Sequence, residues 1–276
     1  MEKNTPANTA YKKSSFGPAF FFLSKRRRGA LAAYYEFCRL MDDIADEPDV
    51  KDPQKELDFW QAEVDRIFTN RPQTPLGKQL AQVVKEFGLS KDRFTLLMEG
   101  MRYDISGKTY ATFKDLSSYM YRVAVIVGLA TLDILGIKGA AAQELAENLG
   151  TAVQLTNIIR DVPADAQLNR VYLPSELLGR YGLTRADVLA GKDPQKIAQV
   201  LAHLSTLAQD FYDKAQQNMK QFARLKMLPC QMMACVYARN LAKIEGSRFL
   251  FERPLKLTKW EKLVGVCHAC WKTMVA

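Results

Sequence analysis

Apolar residues recur at intervals of three and four along almost the whole chain, the spacing of a buried helical face. The pattern predicts helices over 26–47, 53–69, 76–87, 91–103, 113–135, 140–165, 194–223, 229–249 and 259–274. Turn-forming clusters separate them: TNRPQTPLG from 69, FGLSKD from 87, LGIKG from 135 and LAGKDP from 189. Period-two alternation is nearly absent, no internal repeat is visible, and no low-complexity linker divides the chain. The expectation is an all-α bundle wrapped on one core.

Composition sharpens this picture. With 276 residues, 48% apolar and 25% charged, the chain has enough apolar material for a single domain over 1–276, of which 1–13 is expected to be flexible. No run of about 20 apolar residues is apparent; the nearest, 123–132, is closed off by Arg122 and Asp133. An N-terminus without an apolar core or cleavage site, and an odd count of five cysteines, point to reduced thiols in the cytoplasm. Cys230, Cys235, Cys267 and Cys270 lie in apolar helical runs and read as buried thiols rather than a zinc site. His203 and His268 are the only histidines and neither neighbours a nucleophile motif, which excludes a hydrolytic triad.

Charge adds a partner class. The formal net charge is +9, and from Lys214 onward twelve basic residues face three acidic ones. Such a surface suits anionic lipid or a phosphorylated substrate, with peripheral contact to the inner face of a membrane as the expected location. Nucleic acid is excluded, because the basic residues lack interleaved stacking aromatics and any reading motif. Oligomeric state is left open.

Two acidic clusters carry the chemistry. RLMDDIADE, residues 39 to 47, places Asp42 and Asp46 four apart on one helical face, with Arg39 and Tyr35 on the same side. QLTNIIRDVPAD, residues 154 to 165, sets Asn157, Asp161 and Asp165 in a second ladder beside Arg160, and Pro163 is expected to bend it between the two aspartates. Carboxylates four apart repel one another. A hard cation relieves that repulsion, and Mg²⁺ is usually held by one or two carboxylates together with substrate phosphate oxygens. Facing acid ladders with Arg39, Arg160 and Arg170 for the remaining charge describe a diphosphate site.

The segments SSFGPAFFFLSKRRRGALAAYYEFCRLMDDIADE, YMYRVAVIVGLA, NIIRDVPADAQLNRVYLP and KIEGSRFLFER, spread from Ser14 to Arg253, resemble the squalene and phytoene synthase family of head-to-head prenyltransferases. The resemblance implies the isoprenoid-synthase helical fold with a central cavity, and two to three Mg²⁺ ions. Matched position by position, Asp42, Asp43, Asp46, Asn157, Asp161 and Asp165 fall in the metal motifs. Tyr35, Arg39, Arg160, Arg170, Tyr172, Tyr237 and Arg253 fall with the substrate-binding groups, and Ser15, Phe16 and Phe20 in a covering flap. Tyr119 and Tyr121 are candidates to assist proton loss.

The implied reaction is Mg²⁺-dependent condensation of two farnesyl diphosphates to presqualene diphosphate, continuing in some members to squalene or dehydrosqualene. The alternative is phytoene formation from two geranylgeranyl diphosphates. A non-catalytic assembly or lipid-binding role fits less well, because the motif acids are retained. NADPH would be required if the product is squalene, and no G-x-G-x-x-G follows a strand. Two departures from the family pattern carry expectations: Ala164 replaces an acid and weakens a metal site, and Val125 replaces a glycine and narrows the cavity.

Overall fold

A computed structural model of the chain describes residues 23–47 and 49–275. Among them lie twelve α-helical segments and one π-helical turn, with no strand. In chain order they are α1 (Lys25–Asp46), α2 (Pro53–Phe68), α3 (Pro75–Phe87), α4 (Asp92–Ile105), α5 (Phe113–Met120), the π turn (Tyr121–Val125) and α6 (Ile126–Leu135). They continue with α7 (Ala140–Gln167), α8 (Ser175–Arg180), α9 (Arg185–Leu189), α10 (Pro194–Met219), α11 (Arg224–Gly246) and α12 (Lys259–Val275). The long helices fall where the apolar spacing predicts them, except that α11 begins at Arg224 rather than at Pro229, which lies inside its first turns. The additions are α8 and α9, too short to show a period, and the π turn.

Local chemistry sets the boundaries. Asp52 and Thr74 accept from Lys55 N at 3.0 Å and Gly77 N at 2.9 Å, each followed by a proline in the first turn. Thr112 and Asp115 form a capping box at α5. Helix α7 runs unbroken through Pro163 to Gln167, so the expected bend between Asp161 and Asp165 does not end the ladder. Near a helix terminus the proline leaves only the Ile159 carbonyl without its usual partner.

Two apolar clusters hold these helices together. One joins α5, α6, α7, α10 and α11 around Ile126, Leu145, Leu155, Ile159, Val200 and Leu204. The other joins α1 to α4 around Phe37, Met41, Leu57, Leu80 and Phe94, where Phe94 meets Tyr34 and Phe37 edge-on at 5.5 and 5.3 Å. A cavity opens along the seam between the clusters, walled by α1 and α4 on one side and by α7 and α11 on the other. The run Phe113–Leu135 closes it, and this run corrects the sequence expectation: it is long and apolar enough to cross a bilayer. Half of its apolar window is buried inside the bundle, with α4 and α7 packed against it.

The Val125 expectation also changes. Its side chain is 2% exposed within the first cluster, and Val123 and Ala124 line the cavity instead. Val125 presses on α7: a Cβ on Gly150 would lie 2.9 Å from Val125 Cα. Only glycine permits that approach. Gly150→Ala is therefore expected to destabilise the fold by about 1–3 kcal/mol through overpacking against backbone, read as a lower denaturant midpoint at unchanged slope.

Candidate active site

Helical phase brings Tyr35, Cys38, Arg39, Asp42 and Asp46 to the cavity from α1, and Gln154, Asn157, Asp161 and Asp165 from α7. The cavity holds about 470 Å³. Its polar end is tied shut by Arg170, five positions beyond Asp165. Arg170 Nη1 donates to Asp46 Oδ1 at 2.5 Å, and Nη2 to the Ala45 carbonyl at 2.8 Å, so the segment after α7 clamps the C-terminus of α1. Arg160 grips Asp161 with two parallel bonds of 2.8 and 2.5 Å. Below the charged end the wall turns apolar, with Leu97, Val127, Thr131, Leu132, Leu145 and Ala146.

Crowding shows in the proton affinities. Burial first, and then the Asp46 charge, push Asp42 up to about 7. Burial and then Asp161 push Asp165 up to about 8, with Asp104 and Asp46 adding to the effect from the opposite wall. Such carboxylates favour protonation or a cation. The donor set fits Mg²⁺. Asn157 Oδ1 is buried with no hydrogen-bond partner, while its Nδ2 donates to Gln154 Oε1 at 3.3 Å, leaving a dry amide oxygen between the ladder and the cavity. Among the described residues no three carboxylate, thiol or imidazole side chains converge closely enough to hold an ion unaided.

The other sequence candidates divide. Tyr119, Tyr172 and Tyr237 line the cavity. Asp43 pairs with Arg39 at 2.7 Å and stands outside the lining. Tyr121 also stands outside it, accepting from Gln143 Nε2 at 3.3 Å. Arg253 is exposed and borders a separate surface hollow with Pro194, Leu250 and Phe251. Ala164 lies off the lining. Ser15, Phe16 and Phe20 lie outside the described residues. The cysteines are free; Cys38, Cys230 and Cys235 are buried, whereas Cys267 is exposed, unlike the buried thiol expected.

A family model described as squalene/phytoene synthase matches residues 10–261. The chain is 34% identical to phytoene synthase 2, chloroplastic, of Solanum lycopersicum over 258 residues, 90% of this chain and 83% of that protein. It is 28% identical to 15-cis-phytoene synthase of Synechococcus elongatus, covering 97% and 91% of the two chains. It spans 56% of the length of phytoene synthase 1, chloroplastic, of Arabidopsis thaliana. Among solved structures, a dehydrosqualene synthase in complex with ligand superposes with TM-score 0.84 at 25% identity, covering 98% of this chain and 96% of that one. Squalene synthase HpnC of Alicyclobacillus acidocaldarius gives 0.81 at 26%, covering 88% and 91%.

Gln154 and Asp104 are cavity residues that the sequence does not single out. Gln154 lies one turn before Asn157 and was legible as a fourth rung of that ladder. Asp104, near the end of α4, accepts from Tyr172 at 2.7 Å and Tyr119 at 2.9 Å. Tyr172 stacks on Tyr119 with ring centres 5.1 Å apart. Burial pushes Asp104 up to about 6, although the two tyrosine bonds and Arg170 pull it down. A carboxyl raised on folding binds more protons folded than unfolded, so its contribution to stability falls as pH rises from its ordinary value to the raised one. The stability of Asp104→Asn relative to the parent is therefore expected to increase with pH between about 4 and 6 and to level off above, measured by denaturation in chelator across pH.

Proposed function

Because this chain belongs to the squalene/phytoene synthase family, we propose that it joins two identical prenyl diphosphates head to head. One ionises to an allylic cation, which the double bond of the other attacks to give a cyclopropylcarbinyl diphosphate. The observation that carries this reading is the meeting of both acid ladders at one cavity, tied by Arg170 to Asp46 and floored by apolar side chains.

The residues divide the work. Asp42, Asp46, Asn157, Asp161 and Asp165 would hold Mg²⁺. When bound, the metal would neutralise charge on the departing diphosphate and lower the barrier to breaking the C–O bond. Arg39, Arg160 and Arg170 take diphosphate oxygens through paired N–H donors. The apolar wall keeps water from the cation. Tyr119, whose hydroxyl donates to Asp104 at the polar end, is the better placed of the two tyrosine candidates to guide proton loss to the departing diphosphate.

The substrate we favour is geranylgeranyl diphosphate, with phytoene as product. One feature supports it over the farnesyl preference expected from the sequence. The relatives named above at 34% and 28% identity are phytoene synthases. The cavity face of α7 from Asn157 down to Leu145 spans about 18 Å at 1.5 Å per residue, a length that accommodates either prenyl tail. The farnesyl reading keeps support from the likeness to a dehydrosqualene synthase and a squalene synthase; NADPH enters only if squalene is the product.

The deciding experiment incubates the pure protein with each diphosphate, with and without Mg²⁺ and NADPH, and identifies the extracted hydrocarbon. Phytoene from geranylgeranyl diphosphate, formed only with the metal, is the expected result. Diphosphate release without metal, or none from either substrate, would refute the reading. Asp46→Asn and Asp161→Asn are each expected to cut turnover by about a hundredfold or more, with thermal midpoints close to the parent. Parental rates would remove those residues from the site.

A further inference from the structure

Helix α12 packs against α11 with one face, and among the described residues nothing covers the other. The two run antiparallel. Lys243 reaches Glu261 at 2.9 Å, a Cβ on Gly265 would meet Val236 at 3.1 Å, and Ala269 is fully buried in the cluster that contains Leu228 and Met232. On the outer side Trp260 is 77% exposed, Leu263 49%, Val264 45%, Trp271 58% and Met274 72%. With exposed Cys267, these positions recur at threes and fours and form one apolar stripe along the helix. Lys259 borders the stripe on one side, His268 and Lys272 on the other.

A stripe of this size left in water costs free energy unless something covers it. We propose that it docks on a lipid bilayer carrying anionic headgroups, with α12 lying in the plane of the interface. Three features select this occupant. Tryptophans at both ends of the stripe suit the boundary between headgroups and acyl chains, where an apolar ring with one N–H donor is best solvated. Lysines flank the apolar residues, the arrangement of an interfacial helix. The chain from Lys214 onward holds twelve basic residues against three acidic ones, so a second copy of this face is repelled while an anionic surface is attracted.

The position is also apt for an apolar product. Helix α11, on which α12 rests, supplies Cys230, Met233 and Tyr237 to the cavity, so the bilayer would lie just outside that wall. Docking itself does not depend on the condensation chemistry.

The test uses the whole chain and its own fluorescence. Of its three tryptophans, Trp60 is 7% exposed and the other two stand on the stripe. Unilamellar vesicles of phosphatidylglycerol and phosphatidylcholine should co-sediment the protein and shift its emission to the blue, whereas pure phosphatidylcholine should do so weakly. The pair Trp260→Ser with Trp271→Ser should weaken vesicle binding about tenfold or more, and Lys259→Glu with Lys272→Glu should act in the same direction, all with unchanged circular dichroism. No co-sedimentation, or binding that neither pair alters, overturns the proposal. So does a concentration-dependent dimer that the serine pair dissolves, which would assign the face to a second copy.

Discussion

Carboxylates on two facing helices repel across a narrow, partly dry space, and the fold must hold them together regardless. The cost is visible in Asp42 and Asp165, raised to about 7 and about 8 by burial first and then by nearby carboxylates, Asp46 for the one and Asp161 for the other. The protein offsets it with arginines from the same walls: Arg160 on Asp161, Arg170 on Asp46 and Arg39 on Asp43. The site is thus assembled from charges that can exchange partners, because a cation can take the carboxylates while the guanidinium groups turn to phosphate oxygens. Apolar packing elsewhere supplies the stability that such a site consumes.

That packing is arranged to leave room. The two core clusters do not merge between α1 and α7, and the seam becomes a cavity with one charged end. Small residues set its width: Gly150 admits Val125, and Gly128 lies close to Ala146. The charged end is stiffened by a separate device, Asp104 beneath two stacked tyrosine rings. Positioning comes mainly from rigid helices, with Arg170 and Tyr172 supplied by the short segment that follows α7.

Much of this was readable from residue order. The long helices and both acid ladders follow from local periodicity, because helix phase decides on which side Asp42 and Asp46, or Asn157, Asp161 and Asp165, emerge. What periodicity does not encode is the pairing of distant faces. Asp104 is one acid on a half-buried helix until Tyr119 and Tyr172 arrive from elsewhere in the fold. Arg253 sits in a familiar motif, yet its loop carries it to the surface. Pro163 looked disruptive, but near a helix end it interferes with little. The outer face of α12 was counted only as positive charge, because the exposure of Trp260 and Trp271 depends on which side α11 covers.

The π turn at Tyr121–Val125 has a geometric meaning of its own. Fitting one more residue into a turn advances everything that follows by one position. Upstream, Tyr119 faces the cavity; downstream, the facing residues come in pairs, Val123 with Ala124, Val127 with Gly128 and Thr131 with Leu132, a set centred about one position later than uniform α-helical winding from Tyr119 gives. Uniform winding would bring Ile126 and Ala130 round in their place, residues that now have no accessible surface. The turn therefore acts as a gear between two halves of one rod, keeping a tyrosine at the charged end in line with the apolar wall below it despite their incompatible spacing.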